Sequence, residues 1–367
     1  MKKTSLSACM LLLCYCFATA QTIKVPFTSD QWISRQAEMV QETYMGKESI
    51  LLKAGDIYLK DVGFLDGTIE YDINFPKERS FPGCYFRMQD TAELENFYVR
   101  PHQSGNPDAT QYTPFFNGEA AWQLYHGKGY SEAFDLKYDF WHHIKIDVHG
   151  LQAEIYIDDM QTPLIKVVEL KRTPKAGGIG LSSGGAPVHY ANLQYTLRPA
   201  VAFSPAPIPA NGTGGLITRW QVSNIVSSSL FEKKYQLTPA IKESLTWTTQ
   251  QTEPSGIINF SRFGRLTNTT TTVVARVSIE SGMDQIKTLS FGFSDVVTVY
   301  FNGRALYAGA DVFRSRDYRF LGSIGFFDKV FLPLKKGSNE LWFVVAENFG
   351  GWGLQAKFDD MEGITLK

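Results

Sequence analysis

The chain has 367 residues with 36 Lys or Arg against 37 Asp or Glu, a formal net charge of −1 at pH 7. Residues 21–197 carry 16 basic and 23 acidic side chains (net −7), and residues 198–367 carry 18 and 14 (net +4). With no basic run or basic amphipathic helix in either part, the electrostatic basis for nucleic-acid or anionic-lipid binding is missing, and past the N-terminus no apolar run approaches the ~20 residues that span a bilayer.

Lys2 and Lys3, the apolar run from Ala8 to Phe17 and Ala18-Thr19-Ala20 before Gln21 have the three parts of a cleavable export signal. Residues 1–20 are expected to be removed, leaving a soluble exported protein, periplasmic or extracellular, with no membrane insertion. Leu6-Ser7-Ala8-Cys9 spells a lipobox, but its apolar run follows the cysteine instead of preceding it. Cys9, Cys14 and Cys16 fall inside the signal, so Cys84 stands alone in the mature chain and no intrachain disulfide can form. Within CYFRMQ, Cys84 reads as a buried structural thiol.

Gly67 to Phe75, GTIEYDINF, alternates Ile69, Tyr71, Ile73 and Phe75 with Thr68, Glu70, Asp72 and Asn74, the period of a half-buried strand. Similar runs follow at CYFRMQ, NFYVR, WQLY, HIKIDVHG and LQAEIYIDD. Asp66-Gly67, Asn117-Gly118 and His149-Gly150 mark turns between them. Four prolines and then Gly-Thr-Gly-Gly make residues 198–215 a solvated linker. Beyond it lie TVVARVSIE, TLSFGF, VVTVYFNGRALYAG, KVFLPL and NELWFVVAEN, with Asn302-Gly303 as a two-residue hairpin turn. The predicted fold class is all-β, two β-sandwich jelly-roll domains at 21–197 and 216–367 joined by the 198–215 linker.

Alternation also assigns faces. If Ile69, Tyr71, Ile73, Cys84, Phe86, Met88, Phe97 and Val99 point inward, then Glu70, Asp72, Asn74, Tyr85, Arg87, Gln89, Tyr98 and Arg100 point outward, and Gln123 and Tyr125 oppose Trp122 and Leu124. One sheet is thus expected to present guanidiniums, carboxylates, tyrosines and amides together. The stretch from Asn96 to Gly127 adds amides and aromatic rings and contains a loop from Pro101 to Phe116 too long and aromatic for a plain connector. Flat rings beside planar hydrogen-bonding groups suit a sugar, which has apolar C–H faces and a rim of hydroxyls. The candidate ligand-binding residues are Arg87, Arg100, His102, Gln111, Tyr112, Asn117, Trp122 and Tyr125. The plainer alternative is cross-strand ion pairing on a solvated surface, worth under ~1 kcal/mol per pair.

Residues ~22–197 resemble the concanavalin A-like or laminin-G-like jelly rolls through FLDGTIEYDI, FPGCYFRMQD, FYVRPHQSGNPDATQYTPFFNG, WQLY, WHHIKIDVHGLQAEIYIDD and GGIGL. Residues ~216–367 are similar to galactose-binding-like jelly rolls through VVTVYFNGRALYAG, VFLPLKKGSNELWFVVAEN and GGWGLQAKF. The first resemblance implies a carbohydrate groove on the concave outer face, with an oligosaccharide or polysaccharide as partner. An enzymatic alternative is a glycosidase or a 3-keto-disaccharide hydrolase-like activity, and a third reading is a structural or adhesive surface protein.

The remaining chemical signals are weaker. Glu70-Tyr71-Asp72-Ile73-Asn74 resembles the Glu-x-Asp-x-x-Glu strand of family 16 glucanases, but the position of the last Glu falls at Asn74 or Phe75, and neither can serve as the acid. Gly180-Leu181-Ser182-Ser183-Gly184 matches G-x-S-x-G without the helix that motif needs, because VHYANLQY reads as a strand. No cofactor is expected. His142 and His143 would face opposite ways on a strand, and Asp108, Asp158 and Asp159 are either ligands to a structural calcium or ordinary turn carboxylates. In the second half, Trp352 among glycines could stack on a sugar or pack the sandwich end, and Arg314, Arg316 and Asp317 form a polar loop.

Overall fold

The computed structural model describes residues 21–28, 30–198, 214–316 and 321–367. The expected export signal at 1–20, most of the linker and Asp317 lie outside the described residues. Among those described, regular structure is nearly all β, and the one α-helix is the single turn Pro239–Glu243, capped by the Thr238 hydroxyl accepting from the Ile241 N–H. No described helix is long and apolar enough to cross a membrane.

In the N-terminal half the strands follow one antiparallel path: Ile165–Val167, Gln152–Ile157, His142–His149, Gly67–Asn74, Val188–Leu197, Lys47–Leu59, Gly178–Ser182, Gly83–Asp90, Glu93–Val99, Thr110–Phe116 and Glu119–Ala120. Alternation drives Ile69, Tyr71, Ile73, Cys84, Phe86, Phe97 and Val99 into one core, each at 2% exposure or less. Each such burial contributes about 1.5–3 kcal/mol relative to exposure. Cys84 is a free thiol in this core, and burial pushes its pKa up.

The path becomes a sandwich at Gly55. Strand Lys47–Leu59 pairs with Val188–Leu197 through Ser49–Leu52 and with Gly178–Ser182 through Asp56–Tyr58, so one strand serves both layers. Gly55 sits at φ +73 opposite Gln36 at φ +51, and a Cβ on it would lie 2.4 Å from the Gln36 carbonyl oxygen. Only glycine lets the two bulged chains turn the corner together. The hairpin partner, Trp32–Tyr44, is exposed along most of its length, so it has no apolar alternation for a sequence reading to find. One expected strand is corrected: WQLY is a turn, with the Leu124 and Tyr125 N–H groups both donating to the Ala121 carbonyl at 3.1 and 3.2 Å.

The C-terminal half stacks two antiparallel sheets. One runs Trp247–Gln251, Arg219–Ser223, Thr272–Ser281, Gly337–Ala346, Val296–Phe301 and Arg304–Ala310, and the other Ile258–Asn259, Gly353–Phe358, Gln285–Ser294 and Asp328–Leu334. Trp220, Phe260, Phe291, Phe343 and Trp352 fill the space between them. Trp352 is 0% exposed, donates its indole N–H to Val345 O at 3.1 Å and packs on Phe260, so it belongs to the core. Asn302 and Gly303 both have positive φ, as a two-residue hairpin turn requires.

Candidate functional site

The face of Gly83–Asp90, Glu93–Val99 and Thr110–Phe116 that turns away from the core is the floor of a pocket. Register sets Tyr85 beside Asn96 and Asn96 beside Thr113, with Tyr98 beside Gln111. Ser182 enters from the neighbouring strand, paired with Gly83. Arg79, Phe81 and Gly184 form one wall, Arg100, His102 and Asp108 a second, and Phe115, Ala120 and Trp122 a third. Phe313, Leu321 and Phe349 of the C-terminal half complete the lining of a cavity of about 340 Å³. The Trp122 ring meets Phe349 at 5.8 Å and Phe313 at 6.3 Å between centroids, both edge-on.

Behind the aromatic surface lies a polar frame. Arg100, 5% exposed, donates from Nη2 to the Tyr98 hydroxyl at 2.5 Å and Gln111 Oε1 at 2.6 Å, and from Nη1 to Asp108 O at 2.6 Å. Its guanidinium lies over the Tyr98 ring at 4.7 Å and faces Trp122 at 5.6 Å. Gln111 Nε2 then donates to the carbonyls of Trp122 at 2.9 Å and Tyr125 at 2.7 Å, which fixes the turn that carries Trp122. After Arg100 the chain makes a 3-10 turn, Pro101–Gln103, tied down by the Tyr138 hydroxyl on Pro101 O at 3.0 Å.

Two buried polar atoms of pocket-lining residues have no hydrogen-bond partner among the described residues: Asn96 Oδ1 and His102 Nδ1. Asn96 is 7% exposed. Burial first, then the charges of Arg79 and Arg100, holds His102 below the usual histidine pKa, so its ring is neutral at pH 7. A buried donor or acceptor left dry costs about 1–3 kcal/mol.

The eight residues selected from sequence fall in five places. Arg100, His102 and Trp122 line the pocket, and Gln111 supports it from behind. Asn117 and Tyr125 face the C-terminal half instead: Asn117 Nδ2 donates to Ser261 O at 2.7 Å, and the Tyr125 hydroxyl donates to Glu253. Tyr112 points into the core, where its hydroxyl donates to the buried Glu95 at 2.6 Å. Arg87 does not line the pocket, because the register shifts between Phe86 and Asp90 and Arg87 adopts φ +50. That bulge turns it aside to donate to Leu65 O at 2.7 Å and Asp66 at 3.0 Å, at 2% exposure. Asn96 was not selected, although its place two residues before Tyr98 on the same face was the available signal.

The expectation of one shared polar face is also corrected. Gly67–Asn74 and Glu93–Val99 feed the same core from opposite layers, so their outward residues lie on opposite sides. Glu70 and Asp72 line up with His143, which meets Asp72 at 2.6 Å, while Lys47 and Asn192 reach Asp72 at 2.7 and 2.6 Å. Burial opposes the Asp72 charge, yet the hydrogen bonds from His143, Lys47 and Asn192 hold its pKa below the usual value. His142 points the other way, into Asp158 at 2.8 Å. Among the described residues no three His, Cys, Asp or Glu side chains gather as a metal site. Gly178–Ser182 leads into a turn and then strand Val188–Leu197, so no helix follows Ser182.

Nor is the expected groove open along its length, since the second half covers part of it. The cover is anchored by Gln123, fully buried, whose Nε2 donates to Leu321 O at 2.9 Å while the Ser294 hydroxyl donates to its Oε1 at 3.0 Å. Its main-chain N–H and carbonyl bond Gly350 O and the Ile324 N–H, both at 2.9 Å. Gly350, at φ +105, leaves the room this needs: a Cβ there would lie 2.6 Å from Gln123 Oε1. Ala121, Leu124, Tyr125, Ile257 and Ile324 form a small apolar core across the junction. Beneath Phe349, the buried Asp295 accepts from the Asn348 and Phe349 N–H groups at 2.9 and 2.6 Å, close to buried Glu347 and Asp311.

No protein-family model and no curated protein matches the chain. Solved structures similar to it include the carbohydrate-binding module CBM66 from Bacillus subtilis, at 18% identity over 46% of this chain and 99% of that one, with TM-score 0.36. The VIP36 exoplasmic/lumenal domain in its Ca2+/Man3GlcNAc-bound form is 11% identical over 51% of this chain and 93% of that one, with TM-score 0.36. Bacillus licheniformis β-glucanase is 11% identical over 48% and 98%, with TM-score 0.34. At these scores the likenesses carry no functional weight, which rests on the pocket itself.

Proposed function

We propose that this is an exported carbohydrate-binding protein, a concanavalin A-like or laminin-G-like jelly roll followed by a galactose-binding-like one, which holds a sugar between its halves. The reading is carried by the unpartnered Asn96 Oδ1 and His102 Nδ1 in a pocket whose walls combine aromatic rings with Arg79, Arg100 and Asp108. Sugar hydroxyls would satisfy both atoms, and Tyr98 and Trp122 would cover the apolar C–H face. The cavity is near the lower end of the ~300–1,000 Å³ range of ligand sites, which suits a short stretch of a glycan rather than a long chain. Asp108 is the single carboxylate in the lining among the described residues. Glycoside hydrolysis by the usual routes takes two carboxyl groups across the bond, and Glu70 and Asp72 lie on the opposite face, so binding without turnover is favoured over the hydrolase reading.

The test is calorimetric titration of the whole chain with a panel of mono- and oligosaccharides, with product release followed in parallel. Asn96→Ala and Trp122→Ala should each weaken binding about tenfold or more, while Glu70→Gln should leave it unchanged. Absence of saturable binding across the panel refutes the reading, as does product release abolished by Glu70→Gln.

A further inference from the structure

We propose that the sugar is acidic, its carboxylate received by Arg79 at the pocket rim. This rests on the carbohydrate reading above and adds the charge of the ligand. Among the described residues, two cations and one anion line the pocket, Arg79, Arg100 and Asp108. Arg100 is already committed, its two terminal nitrogens bonded to Tyr98, Gln111 and Asp108 O, with the Asp108 carboxylate 3.7 Å away. Arg79 is exposed and, among the described residues, forms no hydrogen bond or ion pair, not even with its neighbour Glu78. Its guanidinium lies over the Phe81 ring, 5.5 Å from the centroid, and Phe81 in turn meets His102 edge-on at 5.3 Å.

A guanidinium stacked on a ring is oriented before the ligand arrives, and its free N–H edge matches a carboxylate bidentately. Residues 21–197 are net −7, so this positive rim is a local feature and not part of a basic surface. A uronic or other carboxylate-bearing sugar could direct its acid group to Arg79 while its ring reaches Trp122 and its hydroxyls reach Asn96 and His102.

The experiment titrates the full chain with matched acidic and neutral sugars: trigalacturonic acid against galactotriose, glucuronosyl-xylotriose against xylotriose, and 3′-sialyllactose against lactose. At least one acidic member should bind about tenfold tighter than its neutral partner, and the advantage should shrink as salt rises. Arg79→Gln should bring the acidic sugar's affinity down to that of its neutral partner, erasing the preference, with Arg79→Lys between the two. Equal affinities within every pair, or a preference that survives Arg79→Gln, overturns the acidic assignment and leaves the carbohydrate reading standing. Failure of all six sugars to bind overturns both.

Discussion

Gln123→Ala tests whether one inserted side chain holds the halves in register. Alanine keeps the two main-chain bonds to Gly350 and Ile324 and removes the two side-chain bonds, to Leu321 O and from Ser294. Each lost bond costs about 0.5–1.5 kcal/mol net, and a buried group left dry adds about 1–3 kcal/mol. Ser294 has an alternative acceptor, Asp295 Oδ1 at 3.2 Å, so the larger penalty falls on the Leu321 carbonyl alone. The expected destabilisation is therefore about 2–6 kcal/mol. Urea unfolding should be followed by far-UV circular dichroism and tryptophan fluorescence in parallel. The variant midpoint should fall, and the two signals should separate as the halves lose their coupling. Sugar affinity should weaken as well, because Leu321 and Phe349 lose their anchor. A loss below about 0.5 kcal/mol with coincident transitions would show that the pin does not matter and that the small apolar core at the junction suffices.

Acidity should matter at the same junction. Burial raises the pKa of Asp295 and of Asp311 to about 6 and pushes Glu347 up as well. Groups that bind protons more tightly folded than unfolded add stability below their unfolded pKa near 4, and that contribution is lost as pH rises through 6. Asp295→Asn should flatten this decline and raise stability at pH 7.5 by on the order of 2 kcal/mol; thermal melts from pH 4 to 8 that keep a constant offset from wild type would contradict it. Glu253→Gln removes an anion that meets Lys171 at 2.8 Å and Arg262 at 3.0 Å. Breaking a buried pair costs about 3–5 kcal/mol, but Glu169 still reaches Lys171 at 2.7 Å, so a loss near the lower end is expected in urea unfolding, partly recovered by adding Lys171→Met. No recovery in the double variant would mean that the stranded lysine charge is not the cause.

Where strands are half buried, the sequence pattern was enough: Ile69 to Ile73 and Phe97 to Val99 alternate, and their faces follow. Tyr98 and Arg100 were placed on the outer face by that rule alone. It failed at Arg87, because a bulge is a one-residue slip that no period of two can reveal. It failed at Trp32–Tyr44 for the opposite reason, since an exposed edge strand has no face to bury. Tyr112, Asn117 and Tyr125 share the composition of a ligand stretch, yet a core partner and the C-terminal half claim them. Which surfaces meet across the linker is set by contacts such as Gln123 on Leu321, 198 residues apart, and local pattern has no access to that separation.

Because Trp122 and Asn96 come from one half and Phe349 from the other, the pocket does not coincide with either folding unit. Separating the halves at the proline-rich connector would leave one with an unroofed floor and the other with a vacant slot where Gln123 sat. Shuffling either module onto a new neighbour would likewise erase the cavity, so the pair can be inherited or engineered only as a single cassette.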